Sequence, residues 1–319
     1  MSVATISCAH IVGLLAENVT IEVDVSRGLY NFSIVGLPDK AIDESKDRII
    51  AALKNIGAKN PKTEGQKVIV SLSPANIKKE GAHFDVPIAL AYLAASKQVT
   101  IPSDVGWFFG ELSLTGEILP MKGALLVAER AKSSGAKVLY VPEANKEEAA
   151  LIEGLTVYGC KTLSDIILHL GGRLENNNAI VSLVAQPSTE IVYITPTSFL
   201  DFKDIKGQET AKRALEIAAA GGHNIALYGP PGTGKTMLAR AFTGILPSLT
   251  KEEALEVTRI HSISGKETTL ITHPPLRSPH HTSSHVSLVG GGSNPRPGEV
   301  TLAHHGVLFL MVVPQITIF

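Results

Sequence analysis

The residues best placed to do chemistry form one contiguous run, Gly229-Pro230-Pro231-Gly232-Thr233-Gly234-Lys235-Thr236, which satisfies the phosphate-loop pattern G-x-x-x-x-G-K-[ST] in full. Glycine and proline let the backbone turn tightly and present consecutive N–H groups, and a following helix adds its positive end, so such a loop holds polyphosphate. In that role Lys235 reaches the β- and γ-phosphates and the Thr236 hydroxyl ligates Mg²⁺, so the expected ligand is ATP with its magnesium ion. Five histidines, His280, His281, His285, His304 and His305, crowd a later stretch. The adjacent pairs are expected to point apart, with no carboxylate or cysteine at ligand spacing, so no metal site is expected there. Arg277 and Arg296 lie in a segment broken by glycine and proline. A contact with DNA phosphates, a subunit interface and a plain surface loop all fit that setting.

The elements that must position these residues are legible around them. Asn224 to Tyr228 reads as a short apolar strand entering the loop, and Met237 to Phe242 as the start of a helix leaving it. Earlier, Val19 to Val25 alternates apolar with polar and Asn31 to Val35 is a second run, so an antiparallel hairpin between them is the simple expectation. Pro38 opens a helix with apolar residues at Ile42, Ile49, Ile50, Leu53 and Ile56, closed by Gly57. Strands are expected at Lys67 to Leu72, Trp107 to Leu114 and Lys137 to Val141. Helices are expected at Asp85 to Ala95, Met121 to Ser134, Ala144 to Ile152, Leu163 to Leu170, Glu209 to Ala220 and Lys251 to Ile260, the last capped by Thr250. The fold class is α/β, in two domains: residues 1–171, a linker at 172–198 rich in Asn, Pro, Ser and Thr, and residues 199–319 carrying the phosphate loop.

The 319 residues carry a formal net charge of −1, so the chain is not an obvious nucleic-acid coat and any contact with DNA must come from a local patch or a ring of subunits. Cys8 and Cys160 have no partner spacing for zinc or a redox pair, which points to a reducing compartment and a cytoplasmic location. Neither the start of the chain nor Gly306 to Val313 has the makings of an export signal or a membrane span.

Several runs carry a family resemblance. Ile34-Val35-Gly36-Leu37-Pro38, Lys79 to Ala89, Arg277 to Thr282, Leu288 to Glu299 and Leu302 to Leu310 resemble the ComM/YifB group of magnesium-chelatase-like AAA+ ATPases. The resemblance implies a ring-forming ATPase, usually hexameric, that drives branch migration of DNA in natural transformation or recombination. Phe202 to Glu209 is similar to the adenine-side segment of AAA+ proteins, which assigns Ile205, Gly207 and Gln208 to the base. The first domain resembles the proteolytic domain of Lon, with its ribosomal-protein-S5-domain-2-like fold. His83 stands where Lon has its serine nucleophile and Leu125 falls near its dyad lysine, so the domain is expected to be an accessory without peptidase activity.

One departure bears on turnover. After Gly306 to Leu310 the family has Asp-Glu, which completes the second ATPase motif; Met311 and Val312 stand there instead. An apolar side chain neither holds Mg²⁺ nor orients the attacking water, and loss of such a base costs roughly 10²–10⁴-fold in rate. The sequence is therefore expected to be a C-terminally truncated family member with an incomplete parallel AAA+ sheet, lacking sensors, arginine finger and helical lid. ATP binding with impaired hydrolysis is the main expectation. A nucleotide-binding remnant or regulatory module without ATPase activity, and a metal-chelatase ATPase subunit, remain as alternatives.

Overall fold

Val19, Ile21 and Val23 alternate with Thr20, Glu22 and Asp24, and that period of two gives a strand one apolar face. The computed structural model of the chain describes residues 2–102, 106–174, 182–193, 200–265, 270–291 and 296–311, and it buries all three apolar side chains. They belong to β2 (Leu15–Arg27), which folds back antiparallel on β1 (Ser2–Val12) around Gly13. The expected hairpin partner, β3 (Asn31–Val35), instead runs parallel to β4 (Gln66–Ser73), which lies between it and β2. The turn between β2 and β3 does not close a hairpin because the Gly28 amide donates to Gly65 O at 3.0 Å, tying it to the approach to β4.

Between β3 and β4, Asp39 caps α1 (Lys40–Asn55) by accepting the Ile42 amide at 2.9 Å, and Gly57 follows its end with φ 76°. The apolar helix α2 (Asp85–Ala95) is buried on nearly every side and packs on β1 and β2, as an all-round hydrophobic helix must. The remainder of this unit comprises β5 (Trp107–Phe108), a small hairpin of β6 (Glu111–Leu112) and β7 (Ile118–Leu119), α3 (Ala124–Ser133), β8 (Val138–Pro142), α4 (Lys146–Ala149), β9 (Thr156–Cys160), α5 (Leu163–His169) and β10 (Ala185–Gln186). One mixed sheet runs β10-β9-β8-β5-β1-β2-β4-β3.

Three expectations shift. The strand expected over Trp107 to Leu114 is interrupted because the Gly110 amide donates to His83 O at 3.2 Å and leaves the ladder. The helix expected from Met121 begins at Ala124, after Gly123 adopts a left-handed φ of 79°. The helix expected over Ala144 to Ile152 contracts to a 3-10 turn, Glu143–Asn145, and α4. Within the span expected as a linker, β10 pairs with β9 and Leu174 and Leu183 pack into the main core; residues 175–181 and 194–199 lie outside the described part.

Chain contacts divide the protein into units 1–190 and 191–319. The second contains α6 (Glu209–Gly221), α7 (Lys235–Phe242), α8 (Lys251–Ser264), β11 (Leu276–Arg277), α9 (His285–Val289), β12 (Gly290–Gly291), β13 (Arg296–Pro297), α10 (Glu299–Leu302) and β14 (Val307–Leu308). β11 and β14 pair in parallel, and β12 and β13 antiparallel. The strand expected at Asn224 to Tyr228 is absent: among the described residues no strand pairs with it, and a strand exists only by sharing its backbone hydrogen bonds with a neighbour. Leu227 packs against the core of α6 and α7, while Tyr228 is fully exposed.

Candidate nucleotide-binding site

Gly232 and Gly234 adopt φ 82° and 85°, conformations that glycine takes at little steric cost, and Gly234 is the N-cap of α7. The first amides of α7 therefore have no partners within the helix and offer donors at its positive end. Leu238, Ala241 and Phe242 anchor α7 against Leu215, Ala218 and Ala219 of α6. Rigid helix packing thus fixes the loop from behind.

Inside the loop the Lys235 ammonium turns back, donating to Gly229 O at 2.7 Å and Pro230 O at 2.8 Å. The Thr233 hydroxyl donates to Pro230 O at 2.9 Å. These contacts hold a cation within the loop, and among the described residues no carboxylate forms an ion pair with it. Thr236, one residue on, is exposed at the start of α7. The Gln208 side-chain amide donates to Thr233 O at 3.5 Å, so the segment before α6 reaches the phosphate loop across 25 residues of sequence. Gly207 and Gln208 both have left-handed backbone, φ 69° and 58°; for Gln208 this is strain of the kind that clusters at functional sites. Ile205 is buried with the α6 and α7 core residues.

The two arginines differ. Arg277 is held bidentately by Glu299, at 2.5 and 2.7 Å, in a largely buried pair, and Glu299 keeps its guanidinium charged above the usual range. Arg296 is exposed on the β12–β13 hairpin, next to the Gly292 to Pro295 stretch that lies outside the described residues. Met311 is half-exposed beyond β14; Val312 is outside the described part.

The histidines do not diverge as expected. His304 and His305 place their Nε2 atoms 3.2 and 2.9 Å from the same Glu256 Oε2, with ring centroids 4.1 Å apart. His305 adopts a left-handed φ of 51°, which breaks the usual divergence of neighbouring side chains. Both hydrogen bonds hold the Glu256 carboxyl below its ordinary range. No sequence spacing signalled Glu256, which lies 48 residues before His304. In the first unit, His83 and Leu125 are both buried.

The first unit is of mixed α/β architecture, and in the second a glycine-rich turn opens α7. The comparisons narrow this. Residues 201–318 match the family described as magnesium chelatase, subunit ChlI, and residues 21–145 match the one described as subunit ChlI of Mg-chelatase. The chain is 41% identical over 318 residues to the YifB protein of Salmonella typhimurium, itself described as uncharacterized, covering 99% of this chain and 60% of that one. It is also 41% identical over 326 residues to the competence protein ComM of Haemophilus influenzae, covering 99% of this chain and 61% of that one. Lon protease 2 of Bacillus subtilis is 35% identical over 118 residues, 34% of this chain and 21% of its own length. The chain belongs to the ComM/YifB group of magnesium-chelatase-like proteins, and it spans about 60% of the length of those relatives.

Proposed function

We propose that this chain binds ATP with Mg²⁺ through Gly229 to Thr236 and serves a ComM-like DNA motor, with hydrolysis slowed by Met311 and Val312. The observation that carries the reading is the Lys235 ammonium held by the Gly229 and Pro230 carbonyls inside a glycine turn that opens α7. On binding, Lys235 exchanges those carbonyls for phosphate oxygens and the α7 amides donate to the same anion. The Thr236 hydroxyl offers one ligand to Mg²⁺, which neutralises phosphate charge. Gly207 and Gln208 close the base side of the site, with Ile205 fixing that segment to the core. By the family resemblance Met311 takes the place of the acid that helps hold Mg²⁺ and Val312 that of the acid that orients water, and in this reading the loop retains binding while turnover falls.

The first unit, with its Lon-like and S5-domain-2-like character, is a non-catalytic accessory to the motor. Arg296 is the better candidate for a DNA phosphate or a neighbouring subunit, because Arg277 is already engaged by Glu299. In this reading the motor is cytoplasmic and works as a homo-oligomeric ring on branched or single-stranded DNA. Among the described residues no helix is long and apolar enough to cross a membrane.

Titration calorimetry with ATP and Mg²⁺ tests the reading. Saturable binding is expected, weakened at least about tenfold by Lys235→Ala, with phosphate release near background. An unmodified chain that does not bind nucleotide overturns the binding assignment. Measurable ATPase activity that disappears in Lys235→Ala overturns the slowed hydrolysis.

A further inference from the structure

We propose that Glu256, His304 and His305 form a binding site for a divalent transition-metal ion of the zinc class, separate from the phosphate loop. One ligand atom from each residue lies within 4.8 Å of the other two, and the two Nε2 atoms stand 3.2 and 2.9 Å from Glu256 Oε2. Ligands about 2.0–2.2 Å from a tetrahedral zinc are separated by a little over 3 Å, so the cluster is already spaced for an ion. Two imidazoles with one carboxylate are the donor set of open zinc sites, which leave a fourth position for water.

The surroundings support ligation by His305 Nε2 in particular. Its other nitrogen, Nδ1, faces Glu253 Oε1 at 3.7 Å, and a metal-bound imidazole commonly turns its second nitrogen to a carboxylate in this way. Glu253 and Glu256 lie on α8, one turn apart, while both histidines follow α10. The backbone holding them is fixed independently of any ion. His261 on α8 pairs with Leu302 O at 3.0 Å, His305 is kept in its left-handed conformation, and a Cβ on Gly306 would collide with the Pro275 carbonyl. All three ligands are partly exposed, which leaves an entry path. An ion here would join α8 to the segment entering β14, the strand that leads to Met311.

The test is zinc titration of the untagged full chain without nucleotide, by calorimetry and by competition with a chromophoric chelator. One Zn²⁺ per chain is expected. His304→Ala, His305→Ala and Glu256→Gln should each weaken binding at least about tenfold, Glu253→Gln should weaken it about tenfold, and a His280→Ala/His281→Ala variant should bind as the parent does. Circular dichroism checks that each variant is folded; Glu256→Gln, nearly isosteric and half-exposed, keeps the test valid if a histidine variant is not. The proposal is overturned if the chain does not compete for stoichiometric Zn²⁺, or if a folded Glu256→Gln or His304→Ala/His305→Ala variant binds it as tightly as the parent.

Discussion

His83 is enclosed by aromatic rings, with centroid distances of 5.7 Å to His10, 4.1 Å to Phe84 and 5.4 Å to Phe109. Burial pushes its pKa down to about 3, and neighbouring His10 pushes the same way. The folded value lies below the ordinary one, so the neutral ring's contribution to stability is intact above about pH 6.5 and declines as pH falls from there towards 3. One such proton gives a slope of about 1.4 kcal/mol per pH unit. His83→Phe should therefore make the urea midpoint of the first unit less sensitive between pH 6.5 and 4.5; an unchanged slope would refute this assignment. Arg277 is the counterpart in the second unit. Arg277→Ala removes two charge-assisted hydrogen bonds to the Glu299 carboxylate and should cost about 1–3 kcal/mol, seen as a lowered denaturant midpoint. If its principal effect were instead on DNA affinity, the ion pair would not be what the side chain is for.

At the scale of elements, Gly36 joins β3 to α1 with φ 107°, and a Cβ there would run into the Leu72 carbonyl of β4. Gly36→Ala must move β3 off β4 or strain the turn, so a loss of roughly 1–3 kcal/mol is expected, with faster hydrogen exchange at Ile34 and Val35. Unchanged exchange there would mean that the turn accommodates a methyl group. Gly36 also indicates what the sequence could convey. Local signals were legible: the apolar run of α2, the Gly57 stop, the Thr250 cap of α8 and the contiguous phosphate-loop motif each declare themselves within a few residues. Pairing was not. β2 takes β1 and β4 as neighbours, a choice made by the Gly28 to Gly65 bond and by register rather than by alternation, which only says that a face is buried. For the same reason Asn224 to Tyr228 looked like a strand: its composition is right, but composition does not supply a neighbour. The meeting of Glu256 with His304 and His305 was hidden because it depends on the packing of α8 and on one left-handed residue, not on spacing.

For the whole molecule, the two units differ most in how much apolar surface each removes from water. Among the described residues, the main core cluster of the first unit joins 34 buried side chains from both ends of its sheet and from α1, α2 and α5. Among the same described residues the second unit gathers seven around α6 and α7 and three near α8. Burial contributes about 25 cal/mol for each Å² of apolar surface, whereas every ordered residue costs about 1–2 kcal/mol of backbone entropy. A unit with small, separate clusters meets that cost by a narrower margin. The expectation is two transitions in calorimetry of the full chain, the lower one belonging to residues 191–319. ATP with Mg²⁺ should raise only that lower transition, because a ligand stabilises the fold that holds its site. Residues 1–190 made alone should reproduce the upper transition. A single cooperative transition, moved as a whole by nucleotide, would mean that the two units fold as one and that the small clusters of the second draw their stability from the first.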